Sequence, residues 1–374
     1  MANRTKMASI VLAVATFFAA AAGTAGAAEE QATGNLTMTS QSGKLFRDAY
    51  RPVNWTATVA MTAPYPDSPL VQPIKRVIAD FPEDMTFSPS KKTPVCGDSA
   101  IGPPPVNMSV PTDVAIERCP NSVIGNGTTG IYFGRSNSPQ GPTLKNVSLV
   151  VFNGGFDPQG RPVMKIHGYS EVAQVGTFMV GTLKGNHLEV DVPYLPADSA
   201  SAEFQLEIPG SASPFPNRRG TDPGYVVAKC SAGTWDTNTS LLVGARDATG
   251  RPVGGESTVI APTSRQTCVG ARGKAKFGSL GVSGPGKAKS GKRTTYRLKV
   301  KNRGTADVKA LTLKASGGGV KGKTKIGLIR AESSKVVKLK VRFPRRKTGK
   351  VRIRFKAAAG KMSQSARKTV RLTR

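Results

Sequence analysis

The chain has 374 residues, 38% of them hydrophobic, and a formal net charge of +31 from 54 Lys or Arg against 23 Asp or Glu. That length suits about two domains, and the apolar fraction lets each bury a core. Two histidines, four cysteines and no C-x-x-C pair argue against a histidine-based catalytic site and against zinc.

Residues 1–28 have the three zones of a secretory signal peptide: Arg4 and Lys6, an apolar run from Met7 to Ala22, and a small-residue exit through Ala25, Gly26 and Ala27. The run falls short of the roughly 18–20 apolar residues of a membrane span, and no later stretch is long enough. No cysteine follows the cleavage site to accept a lipid. The mature chain is expected to be secreted and extracellular, without a transmembrane segment, and any association with the cell surface to be non-covalent.

Residues 29–270 alternate short apolar runs with Pro, Gly, Asn and Asp clusters, which predicts strands at Trp55–Met61, Lys75–Phe81, Leu144–Phe152, Val163–Tyr169, Val175–Val180, His187–Val192, Glu203–Ile208 and Ser240–Ala245. No helical period is sustained. The phrases DPQGRPV (Asp157–Val163) and DATGRPV (Asp247–Val253) read as hairpin connectors. Cys96, Cys119, Cys230 and Cys268 suit an oxidising compartment, where three pairings are open. Cys96–Cys119 and Cys230–Cys268 are favoured because each pair brackets one turn-rich segment, and closing such a loop stabilises by roughly 3–4 kcal/mol. The expectation is a neutral, disulfide-tied β-sandwich-like module, since residues 1–270 hold 21 basic residues against 21 acids.

Several motifs in this module invite chemistry and fall short of it. GNGTTG (Gly125–Gly130) has the spacing of a dinucleotide loop, but it runs into Ile131, Tyr132 and Phe133, which favours a strand over the required helix. His187, Glu189 and Asp191 share one strand face, yet i and i+2 groups stand about 6.6 Å apart, wide for one ion. His167 reads as an ordinary or satisfied histidine, and no serine lies in a G-x-S-x-G elbow. A pair of carboxylates set by space alone has no sequence signature. No catalytic residue, cofactor-binding residue or metal ligand is assigned, and no cofactor is implied.

Residues 271–374 hold 33 Lys or Arg against Asp307 and Glu332, so they carry the whole net charge. Alternation there is nearly strict. Tyr296, Leu298 and Val300 share a face opposite Arg297 and Lys299; Val337, Leu339 and Val341 oppose Lys338, Lys340 and Arg342; Val351, Ile353 and Phe355 oppose Arg352, Arg354 and Lys356. The eight outward cations named are the candidate polyanion-binding residues. About seven strands in about 100 residues predict an Ig-like β-sandwich, so the chain as a whole is all-β.

YRLKVKNRGTADVKALTLKASGGG (Tyr296–Gly319) resembles the second and third strands of CARDB-type and related bacterial Ig-like surface domains, with Asn302, Gly304 and Ala306 at the "V-x-N-x-G-x-x" turn. More loosely, Phe81–Phe87, Pro94–Cys96 and Cys119–Gly127 resemble segments of exported bacterial β-proteins without an established activity. These resemblances imply export and fold, and no ligand.

A field this strong attracts polyanions, with salt-sensitive affinity. The expected function is a secreted, non-enzymatic, envelope-associated or adhesion-type protein whose basic domain holds anionic cell-envelope polymers or surfaces. Its rival is a secreted hydrolase or carbohydrate-binding protein tethered by that domain. Nucleic acid fits poorly, because only Phe277, Tyr296, Phe343 and Phe355 could stack bases, and three of them fall on core positions. Lysines on a solubilising face are the plainer explanation of the charge. Oligomeric state is not read from the sequence.

Overall fold

A computed structural model describes residues 30–101, 110–195, 198–209, 222–245, 247, 251 and 253–374, so the signal-peptide reading of residues 1–28 lies outside the described residues. The chain opens with β1 (Gln31–Ser40), β2 (Leu45–Phe46), β3 (Arg51–Thr62), β4 (Ile74–Asp80) and β5 (Met85–Phe87), followed by two short helices, α1 (Asp98–Ile101) and α2 (Thr112–Arg118). Six strands come next: β6 (Val123–Tyr132), β7 (Leu144–Phe156), β8 (Pro162–Ser170), β9 (Val175–Lys184), β10 (His187–Asp191) and β11 (Ala200–Ile208). The run closes with β12 (Val226–Ala228), β13 (Thr234–Val243), β14 (Ser257–Ile260), β15 (Ser264–Thr267) and β16 (Gly270–Ala271).

Fourteen of these strands form one sheet in the order β14-β13-β4-β10-β9-β8-β7-β6-β11-β3-β12-β5, with β1 beside β3 and β15 beside β13. The sheet curls until its two ends meet. Gln266 on β15 accepts the Met38 N–H of β1 at 2.7 Å and donates to the Met38 carbonyl at 2.9 Å, so a side-chain amide replaces one rung of a ladder. The concave face encloses a core that includes Leu36, Trp55, Met164, Ile166, Met179 and Leu241.

On β7 to β9 both faces are apolar, which demands cover on the outside as well. Leu149 and Val151 point into the main core, whereas Val150, Phe152 and Phe178 meet Ile101, Ala115 and Ile116 from the two helices in a second, smaller core. A helix of seven residues is too short to stand alone, and this contact together with the Cys96–Cys119 bridge holds it. Neither helix lasts two turns, too little for a 3.6-residue period to emerge from the sequence.

The remaining chain forms β17 (Phe277–Ser283), β18 (Lys287–Lys289), β19 (Arg293–Asn302), β20 (Val308–Ser316), β21 (Gly322–Ile329), β22 (Ser334–Arg342), β23 (Gly349–Ala359) and β24 (Met362–Thr373). Eight strands form where alternation suggests about seven, because three-residue β18 is too short to show a period. They make two sheets, β17-β19-β22 and β18-β24-β23-β20-β21. Between the sheets lies a separate core: Tyr296, Leu298 and Val341 from one, Leu313, Ile353 and Phe355 from the other. Asn302, fully buried, accepts the Gly304 N–H at 2.9 Å and donates to the Ala306 and Arg330 carbonyls at 2.8 and 3.1 Å. This gives the N-x-G turn its physical reason: Asn302 ties it down, and a Cβ on Gly304 would stand 2.1 Å from the Lys274 carbonyl.

Candidate polyanion-binding surface

Strand alternation sends every second residue of the basic sheets to solvent, and there that residue is usually Lys or Arg. All eight sequence-selected cations are exposed. They are divided between two sheet faces. Arg297, Lys299, Lys338, Lys340 and Arg342 lie on the outer face of the three-stranded sheet, and Arg352, Arg354 and Lys356 on that of the five-stranded sheet.

Register makes the charge denser than the sequence suggests. Arg293 stands opposite Arg342 and Arg297 opposite Lys338 across β19 and β22. Lys314 is flanked by Lys323 and Lys356, and Arg354 faces Arg367. Like charges directly opposite destabilise a sheet, by roughly 0.2–1 kcal/mol per pair. The two acids offer no relief: Asp307 accepts the Ala331 N–H at 2.7 Å, and Glu332 is taken by Arg51 from the first part of the chain. Among the described residues no ion pair forms within 271–374.

Two depressions concentrate this charge. One, of about 920 Å³, is lined by Thr295, Arg297, Lys323, Thr324, Lys338 and Lys340 on β19, β21 and β22, with Ser283 at the end of β17. The second, of about 790 Å³, shares Lys323 and Lys340 with it and continues past Arg293 and Arg342 to Lys314, Arg354 and Lys356. They join because the two sheets meet at one seam, where Lys321 and Arg342 exchange backbone hydrogen bonds at 3.1 and 2.8 Å. Arg293, Lys314, Lys321 and Lys323 were not selected from the sequence. Their place depends on β21 reaching β22 from the other sheet, a relation that no local pattern encodes.

The candidates of the first module resolve into structural roles. The Cys96–Cys119 and Cys230–Cys268 bridges are formed, the two pairs that the loop argument favours. GNGTTG lies within β6, where Cβ atoms on Gly125 and Gly127 would stand 2.3 and 1.8 Å from carbonyl oxygens of Glu207 and Gln205. Those glycines admit the neighbouring backbone of β11. His187 bonds Asp80 at 2.7 Å and Glu189 at 3.0 Å; Asp80, then Glu189, raises its pKa. Asp191 pairs instead with Arg76 at 2.6 Å, so the three groups of this strand face do not converge. His167 is buried on the outer face of β8 between Val150 and Phe178. Neither ring nitrogen makes a hydrogen bond of good geometry, and burial, opposed by the nearby Val110 backbone, lowers the pKa to about 4. In a depression of about 630 Å³ near Ser68 and Thr258, the Glu30 carboxylate accepts the Gln72 N–H at 2.7 Å, and burial raises its pKa.

The chain is thus an all-β protein of curled and stacked sheets with two disulfides. No family model matches it, and no curated protein does. Among solved structures it is similar to the crystal structure of a CARDB domain from Pyrococcus furiosus in complex with di-metal ions, with 17% identity over 26% of this chain and 89% of that one, at a TM-score of 0.23. The solution structure of that domain gives 16% identity, 26% and 95% coverage, and a TM-score of 0.22. Red sea bream transglutaminase gives 10% identity, 91% coverage of this chain and a TM-score of 0.22, and this chain spans only 31% of its length. Scores this low carry no argument, so the functional reading rests on the residues themselves.

Proposed function

We propose that the protein is exported and, without catalysing a reaction, attaches through residues 271–374 to anionic polymers of the cell envelope. The observation that carries this reading is the surface of 33 cations whose only two acids are engaged elsewhere. Such a surface keeps nearly all of its field for a ligand, and a polyanion relieves repulsion already present across the strands. Two disulfides are compatible with an oxidising compartment. Among the described residues no helix is long and apolar enough to cross a membrane. On this reading the Ig-like likeness of the basic sheets describes a presenting scaffold, and the neutral module supplies a second, separate surface.

The test is retention of the purified protein on isolated cell envelopes as salt is raised. Retention near physiological ionic strength with release at higher salt supports attachment. Passage without retention at about 150 mM salt leaves the cations as a solubilising surface and removes the proposal.

A further inference from the structure

We infer that the seam between the two basic sheets is a binding trough for a linear phosphate polymer without stacked bases. This rests on the reading of residues 271–374 as a polyanion binder and goes further by fixing the place and the ligand class. The two depressions that share Lys323 and Lys340 cross β17, β19, β22, β21, β20 and β23 in turn. Five inter-strand steps of about 4.8 Å make a track of roughly 24 Å, room for a run of anions and far more than one ion needs.

The chemistry of the lining selects the anion. Arg293, Lys340 and Arg342 lie on one side of β21, and Lys314, Arg354 and Lys356 on the other. A ligand group in the trough meets cations from two sides. Tetrahedral phosphate accepts from several directions at once, whereas a planar carboxylate is best met by a single guanidinium fork. Hydroxyls of Ser283, Thr295, Ser316 and Thr324 stand among the cations as further donors. No aromatic side chain lines either depression, and Tyr296, Phe343 and Phe355 are shut inside the core, so nothing offers a base a stacking partner. At the floor Gly322 has no side chain, and a Cβ there would stand 3.0 Å from the Lys340 carbonyl.

The experiment measures binding of the whole protein to inorganic polyphosphate, polygalacturonate and oligothymidylate over a range of salt. Two fourfold variants remove equal charge: Arg293→Gln, Lys323→Gln, Lys340→Gln and Arg354→Gln in the trough, and Lys287→Gln, Lys350→Gln, Arg367→Gln and Arg371→Gln on β18, β23 and β24, outside both depressions. Thermal unfolding confirms that both fold. The trough variant is expected to bind polyphosphate at least tenfold more weakly at about 150 mM salt, with the log–log salt slope shallower by about 2–3, while the control stays within about threefold of the parent. Equal losses in both variants overturn the trough and leave polyanion attachment standing. Tighter binding of polygalacturonate or oligothymidylate than of polyphosphate overturns the phosphate assignment. No salt-sensitive binding to any of the three overturns the trough and the attachment together.

Discussion

Arg51 and Glu332 form a two-pronged pair, Nη1 to Oε2 at 2.7 Å and Nη2 to Oε1 at 2.8 Å, that joins the first, neutral core to the basic sheets. The same guanidinium lies 4.8 Å from the centre of the Phe46 ring on β2, and β2 pairs in parallel with β16. Glu332 itself occupies a left-handed turn at φ 53° and donates its N–H to the Gly304 carbonyl. One of the two acids in the basic sheets is therefore spent on holding the halves together.

That pair has a measurable consequence. Both tryptophans, Trp55 and Trp235, lie in the first core, so tryptophan fluorescence reports on that half alone. Glu332→Ala is expected to lower the stability read by tryptophan in urea by about 1 kcal/mol, and a double-mutant cycle with Arg51→Ala to return a coupling of the same size. The coupling should shrink in 1 M salt, since Glu332 is partly exposed. A tryptophan transition indifferent to Glu332→Ala would show that the pair transmits no stability.

His167 predicts how stability depends on pH. Burial holds its pKa at about 4 in the folded protein, against about 6.5 unfolded. Between those values the unfolded chain binds the proton and the folded one does not, so stability falls as pH falls. From pH 7.5 to 4.5 the loss should be roughly 2–3 kcal/mol, and His167→Leu should flatten that limb. His187 acts with the opposite sign: its pKa is raised, chiefly by Asp80, so its contribution is complete below the unfolded value and fades as pH rises through the folded one. Urea unfolding of the parent, of His167→Leu and of His187→Gln from pH 4.5 to 8.5 checks the two limbs.

The Cys96–Cys119 bridge and that histidine are linked through the same cover. The bridge spans 23 residues and ties down the short helices over β7 to β9. Replacing both cysteines by Ala should cost about 3 kcal/mol and raise the His167 pKa from about 4 toward 6.5 as water reaches the ring. An NMR titration of the His167 ring in the doubly substituted protein gives the answer. A ring that still titrates near 4 would mean that the helices keep their seat without the disulfide.

Alternation made the basic sheets readable, because Tyr296, Leu298 and Val300 face inward at every second position without a break. The strands of the first module were readable for the same reason, as with Trp55–Met61, which lies within β3. β1 was not. Its sequence QATGNLTMTS carries Ala32, Leu36 and Met38 inward among threonines and a glycine, too dilute a pattern to stand out. The outward direction of the cations was legible, but their convergence was not. Lys323 meets Lys340 only because strands distant in sequence meet at the seam, and topology of that kind leaves no trace in a run of ten residues.

The charge itself should cost stability, which separates a binding surface from one built to last. Arg354 and Arg367 stand directly opposite on β23 and β24 with no acid near enough to pair them. Arg354→Thr keeps a strand-favouring residue and removes one member of the repelling pair. It should therefore stabilise the basic sheets by a few tenths to about 1 kcal/mol at low salt, with the gain fading as salt screens the partner. Calorimetry of the parent and the variant at low and high salt tests this. A variant less stable than its parent at low salt would mean that the Arg354 side chain packs along the sheet strongly enough to outweigh its charge. A gain would show that the fold tolerates repulsion across its strands, the condition under which a bound polyanion adds stability as it binds.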